Sequence, residues 1–249
     1  MLTVYGHRGL PSKAPENTIA SFKAASEIED VKWLELDVAI TKDEQLIIIH
    51  DDYLDRTTNM TGEITQYNYS DIKSASAGSW YSSKFKDEVL PTFDDVIEIA
   101  NEYNMNLNVE LKGVTGPNVT ALSNSMVKQV KEKLAQLNSN LEVLISSFNF
   151  VLIKLSHEIM PEYKRACLFW TTSFREDWRT ILDYCHSKTV NVQDSSQLTQ
   201  SKISVIKEAG YEINVWTVNK ASRANQLANW GIDGIFTDNA DKLIHLSNS

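Results

Sequence analysis

Apolar and polar positions along the chain switch repeatedly between two periods. Short runs rich in Val, Ile, Leu and aromatic residues predict strands at 3–6, 33–41, 46–49, 107–111, 143–146, 165–169, 190–192, 213–217 and 235–236. Segments of helical period lie between most of them, at 18–28, 93–103, 123–137, 150–157, 178–186, 200–209 and 221–230. In the first of these, Ile19, Phe22 and Ala25 share one face, and Asn17 is placed to cap the start. Thr92 followed three residues later by Asp95 is a capping-box pattern at the start of 93–103. Gly210 and Gly231 stand where a left-handed residue would stop a helix.

Nine strands are one too many for an eight-stranded barrel. The link from Lys42 to Gln45 is too short for a parallel crossover, so 33–41 and 46–49 must form an antiparallel hairpin. With the returning arm set aside, eight strands alternate with helices. The pattern predicts an α/β fold, a (β/α)8 TIM barrel, and the 249-residue length suits one. The second strand would rise past the mouth and fold back, delivering His50 to that mouth. The stretch from Asp51 to Met105 is too long for a barrel loop. Residues 52–90 are poor in aliphatics and read as an insertion over the mouth, without a core of their own. The chain is therefore expected to be one domain, 1–249, with no internal repeat.

Composition narrows the partners. A net charge of −9 repels nucleic acid and anionic membranes, and no basic cluster interleaved with aromatics is present. No stretch approaches the roughly 18 apolar residues of a membrane span, and residues 1–9 lack the pattern of a secretion leader, so the chain reads as cytoplasmic. Cys167 and Cys185, without a CxxC, read as buried free thiols. Three Asn-x-Ser/Thr patterns read as chance. Nothing in the pattern fixes the oligomeric state. A phosphate substrate would need a local positive pocket or a metal.

Candidate chemistry gathers at predicted strand ends. Glu35 and Asp37 are two apart on one strand, so they point the same way, and Glu110 and Lys112 repeat the spacing one barrel strand later. Three carboxylates converging in a mouth repel one another unless a cation joins them, and oxygen ligands favour Mg²⁺ or Ca²⁺. His7 and His50 end strands beside those acids and suit proton transfer near neutral pH. Arg8 offers a planar fork for phosphate oxygens and Lys112 a point charge. Phe148 and Trp216, at strand ends, are candidate pocket walls. Glu16 and Asn17 read as capping residues, Asn219 and Asp238 as binders of backbone amides, and Arg56-Thr57-Thr58 as ordering the insertion. Gly9 would permit a turn or a close approach. His157, His186 and His245 read as surface residues.

Taken in order, His7-Arg8-Gly9, Pro15-Glu16-Asn17-Thr18, Glu35-Leu36-Asp37-Val38, His50-Asp51 with Leu54-Asp55-Arg56-Thr57-Thr58, Pro91-Thr92, Glu110-Leu111-Lys112, Trp216-Thr217-Val218-Asn219 and Gly234-Ile235-Phe236-Thr237-Asp238 resemble the glycerophosphodiester phosphodiesterases of the bacterial cytoplasmic type. The resemblance implies a barrel with an insertion after the second histidine. It also implies metal-dependent hydrolysis of a small glycerophosphodiester to sn-glycerol 3-phosphate and an alcohol such as choline or ethanolamine. By the same resemblance His7 and His50 match the acid–base pair, Glu35, Asp37 and Glu110 the metal ligands, and Arg8 and Lys112 the phosphate contacts. Three other readings use the same constellation. They are phospholipase D-like cleavage of lysolipid or sphingolipid diesters, a barrel that has lost catalysis, and a metal-dependent sugar isomerase, which would need neither Arg8 nor Lys112.

Overall fold

The computed structural model describes residues 2–248, so the two ends of the expected 1–249 span lie outside the described residues. Its strands are β1 (Thr3–Gly6), β2 (Trp33–Ile40), β3 (Leu46–Ile48), β4 (Asn106–Leu111), β5 (Val143–Ser147), β6 (Lys164–Phe169), β7 (Thr189–Gln193), β8 (Glu212–Trp216) and β9 (Gly234–Thr237). β1 pairs in parallel with both β2 and β9, which closes a barrel of eight parallel strands. β3 lies antiparallel on β2, with Val38 opposite Ile48 and Ile40 opposite Leu46. The hairpin is therefore the extra strand, as its short link requires.

The helices are α1 (Ile19–Ser26), α2 (Tyr69–Ile72), α3 (Phe93–Tyr103), α4 (Val119–Leu134), α5 (Phe150–Ile159), α6 (Trp178–Tyr184), α7 (Gln200–Glu208), α8 (Ala221–Asn229) and α9 (Ala240–Leu243). The Thr92–Asp95 capping box forms at α3, and Gly210 and Gly231 take the left-handed conformation just beyond α7 and α8. Two boundaries differ from the pattern. Thr18, not Asn17, caps α1, its hydroxyl accepting from the Ser21 amide. α4 begins at Val119, where a polar Asn-Ser stretch hides the apolar spacing carried by Leu122 and Met126. α2 and α9, one turn each, are too short to show a period.

The alternation on β2 explains the layers. Leu34, Leu36 and Val38 point outward into the main core with Phe22, Phe93 and Val109. Glu35 and Asp37 therefore point into the barrel. A smaller cluster of Tyr5, Leu144, Ala166 and Phe236 fills the interior below the mouth. Residues 52–90 share a third cluster with the hairpin, in which Leu54, Ile64, Ile72, Ala77 and Leu90 pack on Ala39, Ile47 and Ile49. Much of that apolar surface comes from the barrel's own hairpin. Cys167 and Cys185 are buried free thiols.

Candidate active site

The sequence-predicted residues meet at the C-terminal end of the strands. β2 and β4 run in register, so Asp37 is paired directly with Glu110. Glu35, Asp37 and Glu110 are buried, and each offers a carboxylate oxygen within 4.8 Å of the others. His7 and Arg8 follow β1, and His50 follows β3. With Glu35, Glu110, Phe148, Trp170 and Trp216 they line a cleft of about 520 Å³. His157 and His186 lie outside this lining, their rings stacked on each other at 4.0 Å.

The turn after β1 is built for close approach. Gly9 has φ of 89°, and a Cβ there would sit 2.7 Å from the Ser21 carbonyl oxygen. The Ser21 hydroxyl donates to the Arg8 carbonyl at 3.0 Å and accepts from the Leu10 amide at 2.8 Å. This pins the turn to α1. The Arg8 amide in turn donates to the Glu35 carboxylate at 2.9 Å. Asn17, no longer needed as a cap, donates from its side chain to Asp37 at 2.8 Å. The first two sequence motifs thus orient two of the three acids.

Charge in the mouth is dense and mostly paired. Burial raises Glu35 well above the usual carboxylate range, and the charge of Asp37 adds to it. Burial also leads the upward shift of Glu110, with Lys112 opposing it and Asp37 adding to it. Asp37 goes the other way: burial would raise it, but Lys112 and Arg8 together hold it below the usual range. Lys112 lies 2.6 Å from Glu110 and 3.4 Å from Asp37, and Arg8 lies 3.3 Å from Asp37. One oxygen of Asp37, Oδ1, is buried without a hydrogen bond. Three converging carboxylates, one with a buried oxygen that makes no hydrogen bond and faces only the Lys112 ammonium at 3.4 Å, are a donor set that fits a hard divalent cation.

Each histidine is held by a carboxylate. His7 Nδ1 lies 2.7 Å from Asp238, and His50 Nδ1 lies 2.6 Å from Asp51. Among the described residues neither Nε2 has a hydrogen-bond partner, so that atom is the one available to a substrate. Against the desolvation that burial imposes, the hydrogen bond and charge of His7, with Asn219, lower Asp238. Arg56 and His50 likewise bring Asp51 down to about 2, against the desolvation of its partial burial. Both carboxylates stay ionised at neutral pH and fix the orientation of the ring they hold.

Several of these contacts were not foreseen. Asp238, expected to bind backbone amides, instead holds His7 and accepts from the Asn219 side-chain amide. Asn219 does bind an amide, that of Asp238. Glu16 is not a cap. It accepts from Arg8 at 2.8 Å and from Arg56 at 2.7 and 2.9 Å. Arg56 also grips Asp51, so the insertion is tied both to the carboxylate that holds Arg8 and to the one behind His50. Trp170 was missed although it directly follows β6, as Phe148 follows β5. It stacks on Phe148 at 4.9 Å and meets Trp216 edge-on at 4.9 Å.

Comparison with known proteins accords with this geometry. Residues 7–242 match the model of the glycerophosphoryl diester phosphodiesterase family. A glycerophosphodiester phosphodiesterase of Caldanaerobacter subterraneus is 32% identical over 249 residues, covering 98% of this chain and 96% of its own. One from Bacillus altitudinis is 28% identical, covering 99% and 98%. An Oleispira antarctica phosphodiesterase, solved with its product sn-glycerol-3-phosphate, superimposes with a TM-score of 0.91 at 32% identity over 99% of this chain and 97% of its own. No helix among the described residues is long and apolar enough to cross a membrane. With a family match over nearly its whole length and a buried acidic trio between two carboxylate-held histidines, this chain belongs to the glycerophosphoryl diester phosphodiesterase family.

Proposed function

We propose that the chain hydrolyses glycerophosphodiesters to sn-glycerol 3-phosphate and an alcohol, with a divalent ion and two histidines. The observation that carries this is the cleft itself, where two histidines with free Nε2 atoms flank three converging carboxylates and two cations. Residues 2–248 act as one catalytic domain, with 52–90 forming part of its rim. Glu35, Asp37 and Glu110 would hold the ion, Mg²⁺ or Ca²⁺. Bound there, it would supply positive charge against the phosphoryl oxygens as negative charge grows on them.

The chain's own residues supply the rest. Arg8 and Lys112 turn toward phosphate oxygens, the first as a fork and the second as a point charge. Phe148 and Trp216 wall the substrate and exclude water. One histidine takes a proton from the attacking oxygen and the other gives one to the leaving alkoxide. The glycerol 2-hydroxyl is the attacking group, because it is already tethered near phosphorus and needs only orientation. Water then opens the resulting cyclic phosphate, with the two histidine roles exchanged.

The test is release of glycerol 3-phosphate from glycerophosphocholine and glycerophosphoethanolamine, measured by a coupled assay. A 2-deoxyglycerol analogue should not turn over. Normal turnover of that analogue would instead assign the attack to water. Hydrolysis of lysolipid or sphingolipid diesters alone would move the assignment to phospholipase D-like chemistry, and binding without turnover would leave a silent barrel.

The support behind His7 gives a separate expectation. Asp238→Asn keeps the shape but lets an amide face Nδ1, so the imidazole can adopt the wrong tautomer. We expect kcat to fall on the order of 10²-fold with little change in KM. An unchanged kcat would detach Asp238 from proton transfer.

A further inference from the structure

Arg56 lies in a turn of the insertion that is fixed on both sides. Leu54 is fully buried, and its amide donates to the Gly62 carbonyl at 2.9 Å. The Thr58 amide and hydroxyl both donate to the Leu54 carbonyl, at 3.1 and 2.7 Å. From this turn the Arg56 guanidinium makes two forks. One takes Asp51 at 2.6 and 2.9 Å, and the other takes Glu16 at 2.9 and 2.7 Å. A planar guanidinium gripped from two directions has one orientation, which a lysine ammonium does not reproduce.

Each fork ends on an oxygen shared with the site. Asp51 Oδ1 accepts from Arg56 and also faces His50 Nδ1. Glu16 Oε1 accepts from Arg56 and also from Arg8. A chain of contacts thus runs round the rim from His50 through Asp51, Arg56 and Glu16 to Arg8. We infer that Arg56 is a positioning residue, which sets the Asp51 carboxylate and through it the His50 ring, with Glu16 holding its other side. This rests on the phosphodiesterase reading above, in which His50 moves a proton.

Anchoring the insertion does not require this chain. The insertion is already held by its apolar cluster with the hairpin. The Lys42 amide donates to the Tyr67 carbonyl at 2.9 Å, the Ala20 amide to Glu88 at 3.2 Å, and the Tyr81 hydroxyl to the Pro11 carbonyl at 3.1 Å. Arg56 is 44% exposed, and exposed ion pairs add little stability. Asp51, by contrast, depends on it. Apart from His50, Arg56 is the side chain that grips that carboxylate among the described residues. Once it is removed the carboxylate can turn, and a proton carrier held out of line transfers slowly.

The test is a double-mutant cycle with glycerophosphocholine, comparing wild type, Arg56→Ala, His50→Ala and the double variant. Arg56→Ala should lower kcat about 30-fold and change KM less than about threefold. In the His50→Ala background the same substitution should cost less than about threefold, because the ring it positions is gone. Arg56→Lys keeps the charge without the two forks, so kcat should fall about tenfold while Tm stays within about 2 °C of wild type. Equal losses in both backgrounds would make Arg56 a support unrelated to His50 and overturn the inference. Unchanged kcat in Arg56→Ala, or full activity in Arg56→Lys, would also overturn it. A wild type that releases no glycerol 3-phosphate would overturn the phosphodiesterase reading, and this inference with it.

Discussion

His7→Ala and His50→Ala are each expected to lower kcat about 10³-fold, the usual loss when a positioned proton carrier is removed. Both side chains sit in strand-end turns rather than in the core, with 15% and 27% of their surface exposed. Their loss leaves the packing of the barrel untouched, so Tm should move by only about 2 °C. KM should change little, because Arg8 and Lys112, the proposed phosphate contacts, are left in place. The double variant should fall much less than the product of the two single losses, since in the proposed mechanism the histidines serve one displacement together. Near-wild-type kcat in either single variant would remove that residue from proton transfer. A collapse in Tm would instead recast it as a structural support.

Much of this site was legible because strand ends carry it. A two-residue spacing on a strand places Glu35 and Asp37 on one face whatever the rest of the chain does, and a four-residue link forces the hairpin that brings His50 round. What could not be read is how the side chains partner across distance. Glu16 and Arg56 are 40 residues apart, and nothing local to either predicts their contact. Asn17 misled because a polar residue before a helix usually caps it. Here Thr18 takes the cap, and φ of 56° at Asn17 turns its amide to Asp37 instead. Trp170 did leave a signal, an aromatic just past a strand end like Phe148. The roles of these residues are for the kinetic tests to assign. The structure brings them together in one mouth.

The largest effect should come from the cation. Chelation with EDTA is expected to abolish glycerol 3-phosphate release, on the order of 10³-fold or more, and Mg²⁺ or Ca²⁺ should restore it. The same ion should raise Tm, and that readout is independent of turnover. Glu35 and Glu110 are raised above their unfolded values, so their contribution to metal-free stability is full below the ordinary carboxylate pKa and is lost as pH rises through the folded value. Asp37 is lowered, so its contribution is present at neutral pH and lost only in acid. As pH rises through those folded values the metal-free protein comes to hold two reluctant carboxylates charged against each other, a cost that a dication cancels. At lower pH, where these groups are protonated, it cancels less. An ion at a hundred times its Kd adds about 2.7 kcal/mol, which for a domain of this size raises Tm by roughly 5–10 °C. The gain at pH 8 should exceed the gain at pH 5, and Glu110→Gln, which keeps the shape but removes a charge, should lose most of it. Full activity in EDTA, together with a Tm indifferent to either ion at both pH values, would leave the three carboxylates as a strained part of the fold held by Arg8 and Lys112 alone.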